Sequence, residues 1–388
     1  MNYNIFMLTI AISSRSLFNL ETSNEIFERD GQAAYDRHML DNEKKVLEPG
    51  VAFTLVSKLL ALNTPGKRDR VEVVMLSRNS AASSLRIMSS IRAHGLNIER
   101  AVFTSGENRF RYAQQYGADL FLSATGVDTH LALQKGIAAA TIAPGAQHAR
   151  VIDEIGDEMD DKTVRIAFDG DAVIFSDEAD AVFRASGLQS FIDHENEKEH
   201  IPLGEGPFRR LVQKLLELRT SLPEDERGRC RLRIGLVTAR GIESSGRVMN
   251  TLRTWGLSLD ELVFAGGSEK GPLLKAMGAD FFFDDTGHNV RSSNENNIPA
   301  AQVPFGAGGI VAPHGLATAR SKQIVLVEPI IAISGRENID MAVRAVTAGS
   351  SLKSLPASGA ADDEKYRGQV TDLSDRHFKS SSKRSVRP

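Results

Sequence analysis

The chain repeats itself, and the repeat limits the folds open to it. When Ser77 is set against Thr238, the two stretches run together without a gap as far as Asp119 and Asp280. Ser83, Ser84, Arg86, Met88 and Arg92 meet Ser244, Ser245, Arg247, Met249 and Arg253, and Gly117-Ala118-Asp119 meets Gly278-Ala279-Asp280. Upstream, Phe27, Gly31 and His38 match Phe183, Gly187 and His194, and Lys58-Leu59-Leu60 matches Lys214-Leu215-Leu216. A period of this length is far beyond that of a solenoid module. Each copy is long enough to bury a core of its own, which predicts two α/β domains from an internal duplication.

Within each copy, short apolar runs alternate with stretches of helical spacing, the pattern of a mostly parallel sheet covered on both faces. In the second copy the predicted strands are 164–168, 233–237, 262–265, 280–283 and 301–303, and the last of these matches 140–142 in the first. Helices are predicted over 208–218 and 244–255, and 5–12 reads as a buried strand rather than a signal core, because no Lys or Arg precedes it. The fold class is therefore α/β: two tandem Rossmann-like, three-layer α/β/α domains, over 1–145 and 163–306. Residues 146–162, with an acidic run, read as a linker. Residues 307–388 form an extension with a possible strand at 323–327, a possible helix at 338–346 and expected disorder from about 349.

Composition excludes several partners. The net charge is −3 over 388 residues, with 25% charged, so neither nucleic acid nor an anionic membrane is an expected partner. A single cysteine, Cys230, rules out an internal disulfide and a multi-cysteine metal site, and points to a reducing, cytoplasmic setting. A homo-oligomer is compatible with all of this.

Chemistry enters at Phe168-Asp169-Gly170-Asp171-Ala172-Val173, where an apolar strand runs into a glycine between two carboxylates. Alone, such a tripeptide reads as a surface turn. Yet Thr238 also ends a strand, Lys270 follows the next one in Gly266-Gly267-Ser268-Glu269-Lys270-Gly271, and Asp284-Asp285 ends a third. Parallel strands share one carboxyl edge, the edge where open α/β sheets place ligands. Asp169, Asp171, Thr238, Lys270, Asp284 and Asp285 are thus expected at one spot. Carboxylates to hold Mg²⁺, with a lysine and a hydroxyl for phosphoryl oxygens, suit phosphoryl transfer. The first copy is an internal control: it has Ser13, Arg15, Arg109, Ser123 and Ala124 where the second has Asp169, Asp171, Lys270, Asp284 and Asp285. The N-terminal copy lacks the catalytic carboxylates while the scaffold residues persist, so the fold does not need the acids.

These motifs resemble those of the haloacid dehalogenase (HAD) superfamily. Within it, residues 168–178 and 237–241, with Ser244-Ser245-Gly246, residues 252–257 and Lys270-Gly271-Pro272, resemble the cytosolic 5′-nucleotidase type I family. The likeness runs from about Leu8 to Phe305. It implies HAD-like domains and Mg²⁺-dependent hydrolysis of nucleoside 5′-monophosphates, AMP foremost. Asp169 would be the nucleophile and Asp171 the acid and base, with Thr238 and Lys270 on the phosphoryl group. Asp169, the backbone carbonyl of Asp171, and Asp284 or Asp285 would be the metal ligands. Arg240, Gly267 and Ser268 are candidate substrate contacts, Arg240 being equally able to form a structural ion pair. Residues 177–206 are placed to form a small cap. Phe175, Phe183 and Phe191 would either stack on a base or fill the core, and His194 and His200 read as surface or capping residues. Arg15, Arg78 and Arg109 on the matching edge of the first copy suggest an anion pocket, as a lid over the substrate or as an effector site. Rival readings are another phosphomonoester phosphatase or phosphotransferase on the same scaffold, and a non-catalytic nucleotide sensor.

Overall fold

The computed structural model describes residues 7–143, 162–224 and 228–306. The expected linker, but for its last residue, and the expected strand, helix and disorder after 306 lie outside them.

Elements alternate along the first half: β1 (Leu8–Ile12), α1 (Ser14–Leu17), α2 (Glu21–Asp41), α3 (Phe53–Leu60), β2 (Val71–Ser77), α4 (Ala81–Ala93), β3 (Arg100–Phe103), α5 (Phe110–Gln115), β4 (Leu120–Ser123), α6 (Gly126–Gln134) and β5 (Ala138–Ile142). The second half runs β6 (Val164–Phe168), α7 (Glu178–Glu197), α8 (Arg209–Thr220), β7 (Leu232–Thr238), α9 (Ser245–Thr254), β8 (Glu261–Phe264), α10 (Lys270–Met277), β9 (Phe281–Asp284), α11 (Gly287–Glu295) and β10 (Ala300–Gln302). Both halves follow the predicted alternation; strand ends lie within two residues of expectation except at β1, which starts at Leu8 where a strand over 5–12 is expected.

The ten strands of the described residues form one sheet in the order β3-β2-β1-β4-β5-β10-β9-β6-β7-β8. Every pairing inside a half is parallel, and the pairing at the junction, Ala301 with Ile142 and Gln302 with Thr141, is antiparallel. The carboxyl edges of the halves therefore point in opposite directions. This overturns the expectation that the first copy's arginines form a lid over the second copy's site.

Side chains alternate across the sheet, and the two faces are packed differently. On one face Leu8, Ile10 and Ile12 join Val164, Ile166 and Phe168 in a single apolar cluster beneath α3, α4, α8 and α9. A core is thus shared across the junction. On the other face each half keeps its own cluster, around Phe121 beneath α5 and α6 and around Phe282 beneath α10 and α11. Helices on both faces give three layers. The fixed sheet aligns the ends of β6, β7 and β9 and so builds the site.

Candidate active site at the carboxyl edge of the second half

Asp169 follows the last residue of β6 and caps the turn after it, its Oδ1 accepting from the Gly170 amide at 2.7 Å. The turn returns through Ala172, which holds φ 59°, a costly conformation for a residue with a Cβ. Gly170 itself is not among the residues at positive φ, so the left-handed step of the turn falls two residues later. Its contribution is room: a Cβ there would lie 3.2 Å from the Phe175 ring and 3.4 Å from Thr238 Oγ1.

Lys270 opens α10 and reaches across the strand ends, its Nζ 2.7 Å from Asp169 Oδ1 and 2.7 Å from Asp284 Oδ2. Asp284 is further held by the Thr286 amide at 2.7 Å and by Asn289 Nδ2 at 3.1 Å. Asp169, Asp284 and Asp285 are all buried and offer oxygens within 4.8 Å of one another. Asp285 accepts from Thr286 Oγ1 at 3.3 Å through Oδ1, whereas its buried Oδ2 has no hydrogen-bond partner. A buried carboxylate oxygen left unpaired is costly, and a divalent cation among three carboxylates would relieve that cost. Hard oxygen donors of this kind suit Mg²⁺.

Electrostatics agree with crowded acids around one cation. Burial pushes the Asp169 carboxyl well above its ordinary range; Lys270 pulls it back while Asp284 and Asp285 push it further up. Burial, followed by Asp284 and Asp180, raises Asp285 to about 7. For Lys270, burial works against the ammonium, but the attraction of Asp169 and Asp284 outweighs it and its pKa rises.

Asp171 is engaged differently. Arg240, two residues past Thr238, donates to both its oxygens, from Nε at 2.8 Å and from Nη2 at 2.7 Å, while its Nη1 pairs with Glu195. Arg247 donates to the other oxygen of Glu195 at 2.8 Å, and Phe191 lies beneath the Arg240 guanidinium, 5.1 Å from its carbon to the ring centroid. Of the two roles open to Arg240 in the sequence, the structure contains the ion pair. Thr238 Oγ1 sits at the end of β7 and accepts from the Arg240 amide at 3.3 Å.

The structure thus brings Asp169, Lys270, Asp284 and Asp285 together, with Thr238 and the Asp171–Arg240 pair beside them. Gly267 and Ser268 lie exposed in the loop before α10. Phe175 and Phe191 are buried, which favours their core reading, and Phe183 is exposed on α7. His194 faces Glu178 at 3.3 Å. Sequence reasoning missed Glu195, Arg247 and Asn289. For Glu195 the available signal was an acid one turn beyond Phe191 on the same face of α7.

The fold and this edge define a class: a Rossmann-like α/β protein presenting clustered carboxylates, a buried lysine and a hydroxyl at the carboxyl ends of parallel strands. Residues 1–309 match the model of the 5′-nucleotidase family, and the chain belongs to that family. It is similar to cytosolic 5′-nucleotidase 1B of Homo sapiens, 36% identical over 286 residues, which is 72% of this chain and 46% of the relative. The chain therefore spans about half the length of that curated relative. Among solved structures, the Pnkp1/Rnl/Hen1 complex aligns with a TM-score of 0.24 at 11% identity, over 78% of this chain and 98% of that one. The S. aureus MnaA-UDP co-structure gives 0.20 at 10% identity, over 76% and 79%. Likeness at that level says nothing about this chain's fold or function.

Proposed function

We propose that this chain hydrolyses nucleoside 5′-monophosphates, AMP foremost, to nucleoside and phosphate, with Mg²⁺ as cofactor and an aspartyl-phosphate at Asp169 as intermediate. The observation that carries the reading is Lys270 bridging Asp169 and Asp284 beside the unpaired oxygen of Asp285, within a member of the 5′-nucleotidase family. Asp169, Asp284 and Asp285, with the backbone carbonyl of Asp171, would hold the cation. When bound, it would neutralise charge on the phosphoryl oxygens.

The chain's own groups divide the chemistry. Gly170 and Lys270 both engage Oδ1 of Asp169, which leaves Oδ2 as the attacking oxygen. Oδ2 bonds to phosphorus as the bond from phosphorus to O5′ breaks, and Asp171 gives its proton to the departing O5′. Asp171 then takes a proton from water, the water oxygen bonds to phosphorus, and the bond to Asp169 breaks to release phosphate. Thr238 donates to a phosphoryl oxygen, and Lys270 holds Asp169 in line and offsets developing charge. Because both oxygens of Asp171 are bonded to Arg240, that pairing must open for the proton transfer. An incoming phosphate offers Arg240 a competing anion. The exposed loop of Gly267 and Ser268 and the helix α7 would contact phosphate, ribose and base.

We also infer that the halves descend from one duplicated unit, with 1–145 and 163–306 as its copies and 307–388 as an extension. Their identical internal strand order supports this. No described helix is long and apolar enough to cross a membrane, which is compatible with a cytoplasmic setting. Phosphate release from a panel of nucleoside monophosphates, with Mg²⁺ or EDTA and with or without a nucleoside acceptor, tests the reading. Release confined to sugar phosphates would contradict it, and phosphate passing to the acceptor would make the chain a phosphotransferase.

A further inference from the structure

We infer that the first half carries a second ligand site, which binds a nucleoside phosphate without metal on the opposite edge of the sheet from Asp169. A cavity of about 290 Å³ opens there at the carboxyl ends of β1, β2, β3 and β4. Ser14, Arg78 and Arg109 line one part of it, and Phe27 and Tyr35 of α2 line another. The positions matching the metal-binding acids hold Ser13, Ser123 and Ala124, so nothing there can hold a divalent cation as the second half would.

Charge in this pocket is inverted. Arg78 and Arg109 share one carboxylate, Asp128, at 2.7 Å and 3.0 Å. The third arginine, Arg15, is matched by Glu21 through two hydrogen bonds of 2.8 and 2.6 Å. Among these three arginines and two carboxylates one positive charge is left over. Arg109 is only 4% exposed, yet its Nε has no hydrogen-bond partner, and neither has the Nε of Arg78. Both arginines line the cavity, and the planar fork of arginine suits a phosphate.

The aromatic wall gives the ligand its other end. Phe27 and Tyr35 meet edge to face at 6.1 Å, and Phe27 is 44% exposed although apolar. Tyr35 is fixed by the hydrogen bond that its hydroxyl accepts from Asn79 at 2.7 Å. A flat base against the exposed Phe27 ring, with its phosphate at Arg78 and Arg109, would occupy both ends of the cavity. Since the carboxyl edges of the halves point in opposite directions, a ligand bound here is not the one facing Asp169.

The full chain carrying Asp169→Asn, in EDTA, is titrated calorimetrically with AMP, ribose 5-phosphate, inorganic phosphate and adenosine. AMP is expected to bind, and Arg78→Gln to weaken it about tenfold. Phe27→Ala is expected to weaken AMP several-fold and leave ribose 5-phosphate unchanged. Arg109→Gln repeats the first test at the buried arginine. Should that variant fail to fold, Arg78→Gln at the half-exposed position decides. Absence of AMP binding in EDTA, or binding untouched by Arg78→Gln, overturns the site. Inorganic phosphate binding as tightly as AMP overturns the nucleotide class. Because the titration needs neither metal nor turnover, its failure is distinct from failure of the hydrolase reading.

Discussion

Lys58 of the first half donates to Asp280 of the second at 2.9 Å, and Lys214 of the second donates to Asp119 of the first at 2.7 Å. The lysines are matched in the sequence repeat, and so are the aspartates. Each half thus offers the other the same pair of charges across the sheet junction. Asp280 also accepts from the Arg165 amide, and Asp119 from the Thr9 amide, both at 2.8 Å, so each carboxylate ties an ion pair to the start of a central strand. Residues kept in both copies without serving chemistry acquire a reason: they fasten the halves.

The two bridges differ in burial, the side chains being 11% and 0% exposed at Lys58–Asp280 and 25% and 20% at Lys214–Asp119. Removing one partner of a buried pair leaves an uncompensated charge. Lys58→Met should therefore cost about 3 kcal/mol and Lys214→Met about 1 kcal/mol in denaturant unfolding. Equal costs would contradict a junction held more tightly at Asp280.

Arg240 and Asp171 should be energetically coupled. Arg240→Met in the natural background should destabilise by about 2 kcal/mol more than in an Asp171→Asn background, because only the former strands the Asp171 carboxylate, while the loss at Glu195 is common to both. Unfolding midpoints of the four proteins check it, and additive effects would show the pairing to be idle. In activity assays Asp171→Asn should lower turnover by about 10²–10⁴-fold.

Metal binding should be visible without substrate. Mg²⁺ should raise the thermal unfolding temperature by relieving repulsion among Asp169, Asp284 and Asp285, and EDTA should reverse it. Asp285→Asn should remove most of that rise, since it deletes the buried oxygen that has no other partner. An undiminished shift in this variant would place the cation elsewhere.

Gly170→Ala should harm turnover more than stability. The added methyl would lie 3.2 Å from the Phe175 ring, which must give by a few tenths of an ångström, and 3.4 Å from Thr238 Oγ1, the hydroxyl proposed to donate to the phosphoryl group. Paired measurements of kcat and unfolding midpoint check this. A loss of stability with normal kcat would show that Thr238 does not depend on that clearance.

Much of this was legible in the residues. Asp169, Thr238, Asp284 and Asp285 end strands, and parallel strands must bring such residues to one edge, so their convergence followed from periodicity alone. Lys270 was legible for the same reason, as part of the loop after β8. Other relationships left no mark in the pattern. Asp171 and Arg240 are paired by the docking of one turn on another, which no spacing encodes. Glu195 follows Phe191 by one turn on α7, but that spacing does not say that Arg240 and Arg247 meet it there. The antiparallel junction of β5 and β10 was hidden because a repeat gives the fold of each copy and not the direction in which the copies meet. The turn that the Asp169-Gly170-Asp171 tripeptide announces takes its left-handed step at Ala172, and the glycine is needed for space.

The central claim is that Asp169 attacks phosphorus within a magnesium-binding cluster. Phosphate release from AMP by the natural chain and by Asp169→Asn, each with Mg²⁺ and with EDTA, tests it most directly. The account predicts release only from the natural chain with Mg²⁺, while Asp169→Asn falls to background and keeps its fold by circular dichroism. Substantial Mg²⁺-dependent release by Asp169→Asn would contradict it.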